Sequence, residues 1–445
     1  MKIILLLGAG LSSSSLIRYL LDHAEQEDWF VNVVDQDLAL VQRKIGKHPR
    51  AAALSFNALD PAERKPMIGH ADIVISMLPA RFHAEVAVDC IELKTHLITP
   101  SYVSPEMKAL AEQAVKAGIV IMNEIGVDPG IDHMSAMQII HEIQAKGGKM
   151  DSFKSFCGGL MAPGCDDNPW HFKFTWNPRN VVLAGQGGAA AFIQNNENKY
   201  IPYAQLFKRT ERFEISTFGE FDGYANRDSF AYRKTYGLLD IPTLYRGTLR
   251  RPDFCQGWNV FIELGMTDDS YKLSDSNLMT PRRFINSFLP YYPSKSVEEK
   301  FKEFLGPERI QLFDQFNWLG IFNNEEFIGL ENASPAKLLE EFLIKKLVLS
   351  PNDKDMIVMY HEFEYSIDKK KKKVIASMVN IGEDPVFTSM SNTVGLPVAI
   401  MAKLILQEKF NIPGVHIPIQ PEVYTPIMEE LKSFGILFHE VENDL

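Results

Sequence analysis

The chain has 445 residues, of which 46% are hydrophobic and 23% charged, the composition of a folded globular protein and not of a disordered one. Its 57 acidic and 46 basic residues give a formal charge of −11. A surface of that sign is a poor partner for nucleic acid or an anionic membrane, and the length allows two or three domains with full cores.

The number of cysteines and the length of the apolar runs indicate the cellular compartment of the protein. The cysteines are Cys90, Cys157, Cys165 and Cys255, and their spacing fits no zinc template, so we expect no metal site. So few cysteines indicate reduced thiols. The apolar run at 3–7 is too short for a signal peptide, and no run approaches the roughly 20 residues that span a membrane. We therefore expect a cytoplasmic protein with no membrane contact.

The chain opens with the pattern of a dinucleotide fold. Residues 3–7 predict a buried parallel strand, and Gly8, Gly10, Leu11 and Ser12 follow it at the start of a helix. Glycines at such a turn let backbone N–H groups approach a pyrophosphate, which the helix dipole favours. The third glycine of G-x-G-x-x-G is replaced by Ser13, which is small enough for the same packing. The alternative is a plain strand, turn and helix.

An acid after the second strand supports the nucleotide interpretation. Residues 30–34 predict a strand that ends at Asp35, about 25 residues after Gly10. An acid at this place holds the adenosine ribose 2′-OH and repels a 2′-phosphate, so Asp35 favours NAD over NADP. Asp37 is close enough to compete for that role.

Strands and helices alternate through the first 125 residues. Further strands are predicted at 51–56, 73–78, 96–99 and 119–122, and helices at 38–45, 84–93 and 105–117. This alternation predicts a Rossmann-type doubly wound parallel sheet. The fourth and fifth strand ends should line the nicotinamide side, and they carry Ser76, Met77, Leu78, Ser101 and Tyr102.

The stretch 123–157 holds two of the three candidate proton carriers. Glycines and a proline at 126–130 break a strand and form a loop, where ligands bind in open α/β sheets. Asp128 is the favoured carrier because burial raises the pKa of a carboxylate, and Tyr102 and Cys157 are the others. Asp128 could instead cap a turn or pair with an arginine, and Cys157 could be a buried apolar group. His133 is interpreted as a helix-start or core histidine.

Two basic segments are candidate carboxylate sites. One contains Asn226 and Arg227, and the other contains Arg246, Thr248 and Arg250. Arginine can hold a carboxylate through two parallel N–H bonds, which lysine cannot. Surface ion pairing is the alternative for each arginine.

The remaining pattern is structural. Apolar spacing predicts helices over 281–349, with the aromatic residues as core. Paired strands are predicted at 355–364 and 374–381, with the lysines of 369–373 as a solvated hairpin tip. A helix at 393–406, beginning after Asn392, should pack back on the first domain.

The predicted fold is α/β with three parts. Residues 1–125 form the Rossmann domain, with 391–410 packed on it. Residues 126–275 and 350–390 form an α+β substrate-binding and dimerisation domain with a mixed sheet. Residues 276–349 form a helical subdomain, and 411–445 a C-terminal segment.

Several long segments resemble one enzyme family, the saccharopine dehydrogenases of the L-glutamate-forming type, also called saccharopine reductases. The resemblance runs almost end to end. Its most specific pieces are NEIGVDPGIDHM at 123–134 and SFCGGLMAP at 155–163, and the others are ISMLP, SYVSP, NPWHFKFTW, NRDS, RGTLR, WLG, DMIVM and TVGLP.

The resemblance implies an activity and its residues. It implies reversible NAD- or NADP-dependent interconversion of saccharopine with L-glutamate and 2-aminoadipate 6-semialdehyde through an imine, in lysine metabolism, by a homodimer. The family is often NADP-linked. Proton handling falls on Tyr102, Asp128 and Cys157, and substrate carboxylates on Arg227 and the segment 246–250. Lys173 is a candidate for the third carboxylate.

Two departures from the family bear on the substrate. Met161 stands where the family has proline, and Trp170 where it has leucine. A related imine-reducing dehydrogenase, such as a carboxynorspermidine-forming enzyme, is the alternative within enzymes, and a non-catalytic NAD(H)-binding regulatory protein is the alternative outside them. Because the chain starts at its own first strand, we expect a single-function enzyme.

Overall fold

The computed structural model describes residues 1–186 and 188–445. The chain forms two compact units. The first unit contains Met1–Asp151, Thr235–Gly237 and Lys354–Leu445, and the second contains Ser152–Lys234 and Leu238–Asp353. The domain boundaries predicted from the sequence remain predictions.

The strands are β1 (Lys2–Leu7), β2 (Trp29–Val34), β3 (Ala51–Leu54), β4 (Ile73–Ser76), β5 (His96–Ile98), β6 (Val120–Met122), β7 (Lys149–Met161), β8 (Ala190–Gln194), β9 (Glu197–Ile201), β10 (Thr210–Ile215), β11 (Gly219–Ala225), β12 (Thr243–Arg250), β13 (Asp355–Ile367), β14 (Lys370–Ile381), β15 (Gly414–His416) and β16 (His439–Asp444).

The α-helices are α1 (Ser14–Asp22), α2 (Leu38–Ile45), α3 (Pro61–Gly69), α4 (His83–Leu93), α5 (Pro105–Ala109), α6 (Ala111–Ala117), α7 (Ile131–Ala145), α8 (Pro178–Val182), α9 (Tyr203–Leu206), α10 (Ala231–Thr235), α11 (Phe254–Leu264), α12 (Pro281–Asn286), α13 (Val297–Leu305), α14 (Leu312–Leu319), α15 (Pro335–Ile344), α16 (Ser389–Leu406) and α17 (Pro421–Lys432).

The first unit is built on a parallel sheet with the order β15-β6-β5-β4-β1-β2-β3. β1 pairs in parallel with both β2 and β4, so the chain turns in opposite directions on its two sides. Residues 4–7 of β1 are fully buried, as a strand covered on both faces requires. The doubly wound Rossmann prediction is therefore confirmed, and β15 adds a parallel strand beside β6 that the sequence pattern did not predict.

Helix α16 packs on α1 within the first unit. It begins four residues earlier than predicted, at Ser389 and not after Asn392. The Thr388 hydroxyl caps its first turn, and the buried Asp355 carboxylate accepts the N–H groups of Ser389 and Met390 at 2.5 and 2.9 Å. These caps satisfy the free N–H groups of a helix start and extend it upstream of the apolar pattern.

The lysine run lies mostly in a strand, so the prediction of a hairpin tip holds for Lys369 and is wrong for residues 370–373. The β13–β14 ladder continues to the pair Ile367 and Lys370. Only Asp368 and Lys369 form the turn, and both have positive φ, as a two-residue hairpin turn requires. Lysines of β14 bond neighbouring carboxylates, such as Lys372 with Glu442 at 2.5 Å.

The second unit contains a mixed sheet and a helical part. β12 runs parallel to β7 and antiparallel to β11 and β8. Aromatic side chains fill the helical part: Phe301 and Phe316 are fully buried, with their ring centroids 5.0 Å apart. The α/β fold with a mixed sheet and a helical part is thus confirmed.

One helix is apolar enough to resemble a membrane span by length and composition. Among the residues that the structure describes, α16 alone passes that test, with a mean hydropathy of 1.4. Most of this helix, 78%, is buried inside the protein, which is typical of a core helix.

The contact between α1 and α16 depends on Gly395. A Cβ at this position would lie 2.8 Å from the backbone nitrogen of Leu16. We therefore expect Gly395→Ala to lower the free energy of unfolding by about 1–3 kcal/mol, because the helices must separate. The urea midpoint, followed by circular dichroism, measures the change.

Gly69→Ala is the matched control. Gly69 also lies in a helix, and its Cβ would meet only a Leu93 methyl group at 3.7 Å, an ordinary contact. Alanine should leave the midpoint unchanged or raise it, since it favours helix by about 1 kcal/mol over glycine. Equal midpoints for the two variants would contradict the importance of the close approach.

Candidate active site

The glycine turn after β1 has the geometry that a pyrophosphate needs. Gly8 has a φ of +100°, and a Cβ there would lie 3.1 Å from the carbonyl oxygen of Met77. Gly10 faces open space, with no atom within 4 Å of a Cβ built on it. Leu11 and Ser12 follow in a 3-10 turn that leads into α1. The predicted residues therefore surround an approachable helix start, which fits a dinucleotide.

Asp35 faces this turn from the end of β2. Its Oδ2 accepts the N–H of Ala9 at 2.8 Å, and its Oδ1 accepts the N–H of Asp37 at 3.2 Å. Asp37 caps α2 by accepting the N–H of Leu40. Of the two acids, Asp35 is thus the one bonded to the glycine turn, at the place where a ribose hydroxyl would be held.

Lys44 is a residue of this site that the sequence did not reveal. Its Nζ donates to the carbonyl oxygen of Gly10 at 2.6 Å and to Oγ of Ser13 at 3.1 Å. Burial lowers the pKa of this ammonium to about 8, against the opposing effect of the Asp35 charge. A lysine in an amphipathic helix carries no pattern that distinguishes it from a surface lysine.

A buried histidine joins two strand ends. Nδ1 of His83 lies 2.9 Å from Oγ of Ser76, at the end of β4, and Nε2 lies 2.9 Å from Oγ of Ser101, after β5. Burial lowers the pKa of His83 to about 4, so the ring is neutral near pH 7. A neutral ring donates to one hydroxyl and accepts from the other. Both serines were predicted from the sequence, whereas the link between them was not.

Tyr102 and Asp128 are brought together. The Tyr102 hydroxyl donates to Oδ1 of Asp128 at 2.9 Å. The loop that carries Asp128 is tightly closed, because the N–H of Gly126 donates to the carbonyl oxygen of Pro129. Its backbone segments are so close that a Cβ on Gly130 would lie 2.0 Å from the carbonyl oxygen of Gly126. Two of the three predicted proton carriers therefore form one hydrogen-bonded pair.

His133 is a buried residue in the first turn of α7, which matches its interpretation as a core histidine. Its Nε2 lies 2.8 Å from Oε2 of Glu124, and its Nδ1 lies 2.6 Å from the hydroxyl of Tyr236. Glu124 was not singled out from the sequence, although it lies in one of the most specific segments.

The predicted carboxylate-binding residues of β12 share one face of the strand. Arg246, Thr248 and Arg250 alternate along it, so their side chains point to the same side. Cys157 on β7 is the parallel partner of Thr248. On the opposite face, Gly247 leaves room for Phe156, whose ring would be 2.2 Å from a Cβ at that position.

Arg250 is a buried cation that has no ion-pair partner within 4 Å among the described residues, although the buried Asp222 is its cross-strand neighbour on β11. Arg250 is 5% exposed. Its guanidinium donates to the carbonyl oxygens of Gly159 and Leu249 at 3.3 and 3.2 Å, and its Nε has no hydrogen-bond partner. The rings of Phe172 and Phe254 lie 5.7 and 5.5 Å away. Burial of an unpaired charge is costly, so this site is suited to an anion.

The segment of Asn226 and Arg227 is tied to β12. The N–H of Asn226 donates to the carbonyl oxygen of Arg246 at 3.0 Å. The guanidinium of Arg246 lies 4.1 Å above the ring of Tyr232. Arg227 is exposed and has a φ of +51°.

Lys173 has acidic partners of its own. Its Nζ lies 2.8 Å from Oδ2 of Asp353 and 2.9 Å from Oδ1 of Asp167. Burial alone would lower the pKa of this ammonium, but the two carboxylates outweigh burial and raise it. A third substrate carboxylate would have to compete with both.

No group of three or more His, Cys, Asp and Glu side chains is arranged to hold a metal ion in residues 1–186 and 188–445. The cysteines are free thiols, and Cys90, Cys157 and Cys255 are buried.

Comparisons with known proteins agree over the whole chain. The family models described as the saccharopine dehydrogenase NADP binding domain and C-terminal domain match residues 4–122 and 126–436. The chain is 32% identical to the L-glutamate-forming, NADP(+) saccharopine dehydrogenase of Saccharomyces cerevisiae, over 99% of both chains. It is also 32% identical to the mitochondrial alpha-aminoadipic semialdehyde synthase of Bos taurus, of which it covers 47%.

A solved structure is similar throughout. The apo L-glutamate-forming saccharopine dehydrogenase from Saccharomyces cerevisiae superposes with a TM-score of 0.89 and 31% identity, covering 100% of both chains.

The link through His83 should make stability depend on pH. With a folded pKa of about 4 against an ordinary 6.5, the unfolded chain binds the proton more tightly. The stability present above pH 6.5 should therefore fall as the pH drops to about 4, by at most about 3 kcal/mol. His83→Asn should flatten the dependence of the urea midpoint on pH across this range.

His439→Asn serves as the comparison, because His439 is exposed at the start of β16. The urea midpoint of this variant should change with pH in the same way as that of the unmodified protein. A slope for His83→Asn that matches the unmodified protein would mean that His83 does not titrate in this range.

Proposed function

We propose, since the chain belongs to the saccharopine dehydrogenase family, that it interconverts saccharopine with L-glutamate and 2-aminoadipate 6-semialdehyde in lysine metabolism. In the oxidative direction, saccharopine, water and oxidised cofactor give glutamate, the semialdehyde, reduced cofactor and a proton. The bound nicotinamide accepts or supplies the hydride. The residues of the chain bind the nucleotide, hold the substrate carboxylates and move protons at the amine and at the aldehyde oxygen.

Nucleotide binding rests on the first unit. The open backbone at Gly10, the start of α1 and the Asp35 carboxylate would hold the pyrophosphate and ribose. Ser76 and Ser101, held by His83, would line the nicotinamide side.

Proton transfer is assigned to the Tyr102 and Asp128 pair. The glutamate amine must be unprotonated to attack the aldehyde, and the intermediate must then lose water. A carboxylate bonded to a phenol can accept the first proton and pass it on. Cys157 remains the third candidate, on the strand next to the carboxylate-binding residues.

The buried guanidinium of Arg250, which forms no ion pair with an acid, is the observation that supports substrate binding. Saccharopine has three carboxylates, and a buried cation without an ion pair is stabilised when one of them binds. Arg227 and Arg246 are proposed for further carboxylates. Because its amine substrate is largely cationic, a carboxynorspermidine-forming enzyme would need acids on this strand face instead.

We further propose that the enzyme is cytoplasmic, as the free thiols suggest, and that it is a homodimer like the family that the sequence resembles. A monomeric mass in light scattering would rule out the dimer.

Arg250→Met should raise the Michaelis constant for saccharopine at least about tenfold, because one charge-assisted carboxylate contact is lost. Methionine keeps the apolar volume and removes an unpaired buried charge, so the thermal midpoint should not fall. Initial rates over a range of saccharopine concentrations give the constant.

Arg251→Met is the matched control for Arg250. Arg251 donates to the carbonyl oxygen of Phe218 at 2.7 Å and lies 3.4 Å from a carboxylate oxygen of Asp166. Both contacts are within the protein and stabilise the fold. This variant should lose stability while its Michaelis constant stays near normal. If Arg251→Met raises the Michaelis constant and Arg250→Met only lowers stability, Arg250 does not belong to the substrate site.

Asp35→Ala should shift the ratio of kcat/KM for NAD to kcat/KM for NADP toward NADP, about tenfold or more, because a charge that repels the 2′-phosphate is removed. The assay is saccharopine-dependent formation of reduced cofactor with each nucleotide. Exposed Asp60→Ala, at the cap of α3, should leave the ratio unchanged.

The same assay tests the reaction itself. A regulatory protein would bind the reduced nucleotide and show no saccharopine-dependent turnover. An unchanged ratio in Asp35→Ala, with turnover intact, would mean that another residue selects the cofactor.

A further inference from the structure

The Glu124 carboxylate contacts both loops that carry the Tyr102 and Asp128 pair. Its Oε1 accepts the N–H of Val103, the residue after Tyr102, at 2.9 Å. Its Oε2 lies 2.8 Å from Nε2 of His133, in the first turn of the helix that follows the Asp128 loop. All of these residues belong to the first unit.

The backbone at Glu124 is placed for this double contact. The residue follows β6 and has a φ of +54°, uncommon for a non-glycine residue. Its N–H donates to the carbonyl oxygen of Ser101 at 3.0 Å, so backbone and side chain both bond the Tyr102 loop. The residue is only 6% exposed, and a buried carboxylate must have its oxygens bonded.

The far side of His133 is also occupied. Its Nδ1 lies 2.6 Å from the hydroxyl of Tyr236, and its side chain is 0% exposed. The imidazole therefore has a fixed orientation, and its position fixes the start of α7. The loop that precedes α7 is closed on itself, because the N–H of Gly126 bonds the carbonyl oxygen of Pro129 and the N–H of Ile131 bonds that of Gly126. Asp128 is therefore tied to the start of α7.

From these contacts we propose that Glu124 is a positioning residue for the reaction, acting through Tyr102 and Asp128. The proposal rests on the proton-transfer role given to that pair above. Glu124 sets the distance between the phenol and the carboxylate by holding Val103 on one side and His133 on the other. A displacement of about 1 Å of such groups can cost about a hundredfold in rate.

Removal of the carboxylate should therefore affect kcat and leave binding intact. In Glu124→Ala we expect kcat to fall between about tenfold and a hundredfold, with the Michaelis constants for saccharopine and cofactor within about twofold of normal. In Glu124→Gln, the amide can still accept from Val103, and it can donate to Nε2 of His133 once the imidazole proton moves to Nδ1, so kcat should recover to within about threefold of normal.

A double-mutant cycle separates positioning from general stability. Tyr102→Phe removes the hydroxyl that Glu124 positions, so adding Glu124→Ala to it should lower kcat further by less than about threefold. Independent, multiplicative losses would overturn the proposal. Glu142→Ala, which removes an exposed carboxylate from α7, is the control and should leave kcat unchanged.

The remaining outcomes are also decisive. If Glu124→Ala does not fold, Glu124→Gln still tests the proposal. The proposal is contradicted if Glu124→Gln has normal stability and yet loses as much kcat as Tyr102→Phe. Normal kcat in both Tyr102→Phe and Asp128→Asn would overturn the proton-transfer assignment itself. Large losses in those two variants with normal kcat in Glu124→Ala would overturn only the role of Glu124.

Discussion

The parallel pairing of β1 with both β2 and β4 is the constraint on which the nucleotide-binding loops of the first unit depend. Because these strands run in one direction, their carboxyl ends lie at the same edge of the sheet, and the loops after them converge. The glycine turn follows β1, Asp35 follows β2, and Ser76 ends β4. Hydrogen bonds then link these loops sideways, through Asp35 to Ala9 and through His83 to both serines. The site is a set of loops bonded to one another at one sheet edge.

The second unit contains buried basic residues of two kinds, which differ in whether an acidic side chain forms an ion pair with them. Lys173 is buried with Asp353 and Asp167 beside it, so its charge is neutralised within the fold. Arg250 is buried without an ion pair among the described residues and rests on carbonyl oxygens and aromatic faces. The first arrangement is complete without a ligand, whereas the second becomes favourable when an anion arrives. Under the proposed function, this difference would let a chain with a net charge of −11 receive a substrate with several carboxylates.

The two departures from the family pattern are core residues. Trp170 is fully buried, stacks 5.5 Å from Phe261, and donates from Nε1 to the carbonyl oxygen of Gln315. Met161 is fully buried at the end of β7. Both side chains are accommodated by packing and by a hydrogen bond within the second unit. Their environment therefore supports the fold around β12 and does not by itself argue for a different substrate.

The sequence by itself determined the Rossmann order, the glycine turn, Asp35, the candidate proton carriers and the basic segments, because each is encoded locally. A buried parallel strand must be apolar, a close backbone approach needs glycine, and alternation along β12 puts its arginines on one face. The strand β15 and the Asp355 cap that starts α16 early depended on partners far along the chain, and the place of the lysines depended on how far the β13–β14 ladder continues. The same holds for Lys44, His83 and Glu124, whose roles are contacts across 7 to 34 residues of sequence separation. Only the tertiary structure decided them, because a hydrogen bond between distant loops leaves no periodic or spacing pattern in the residues that form it.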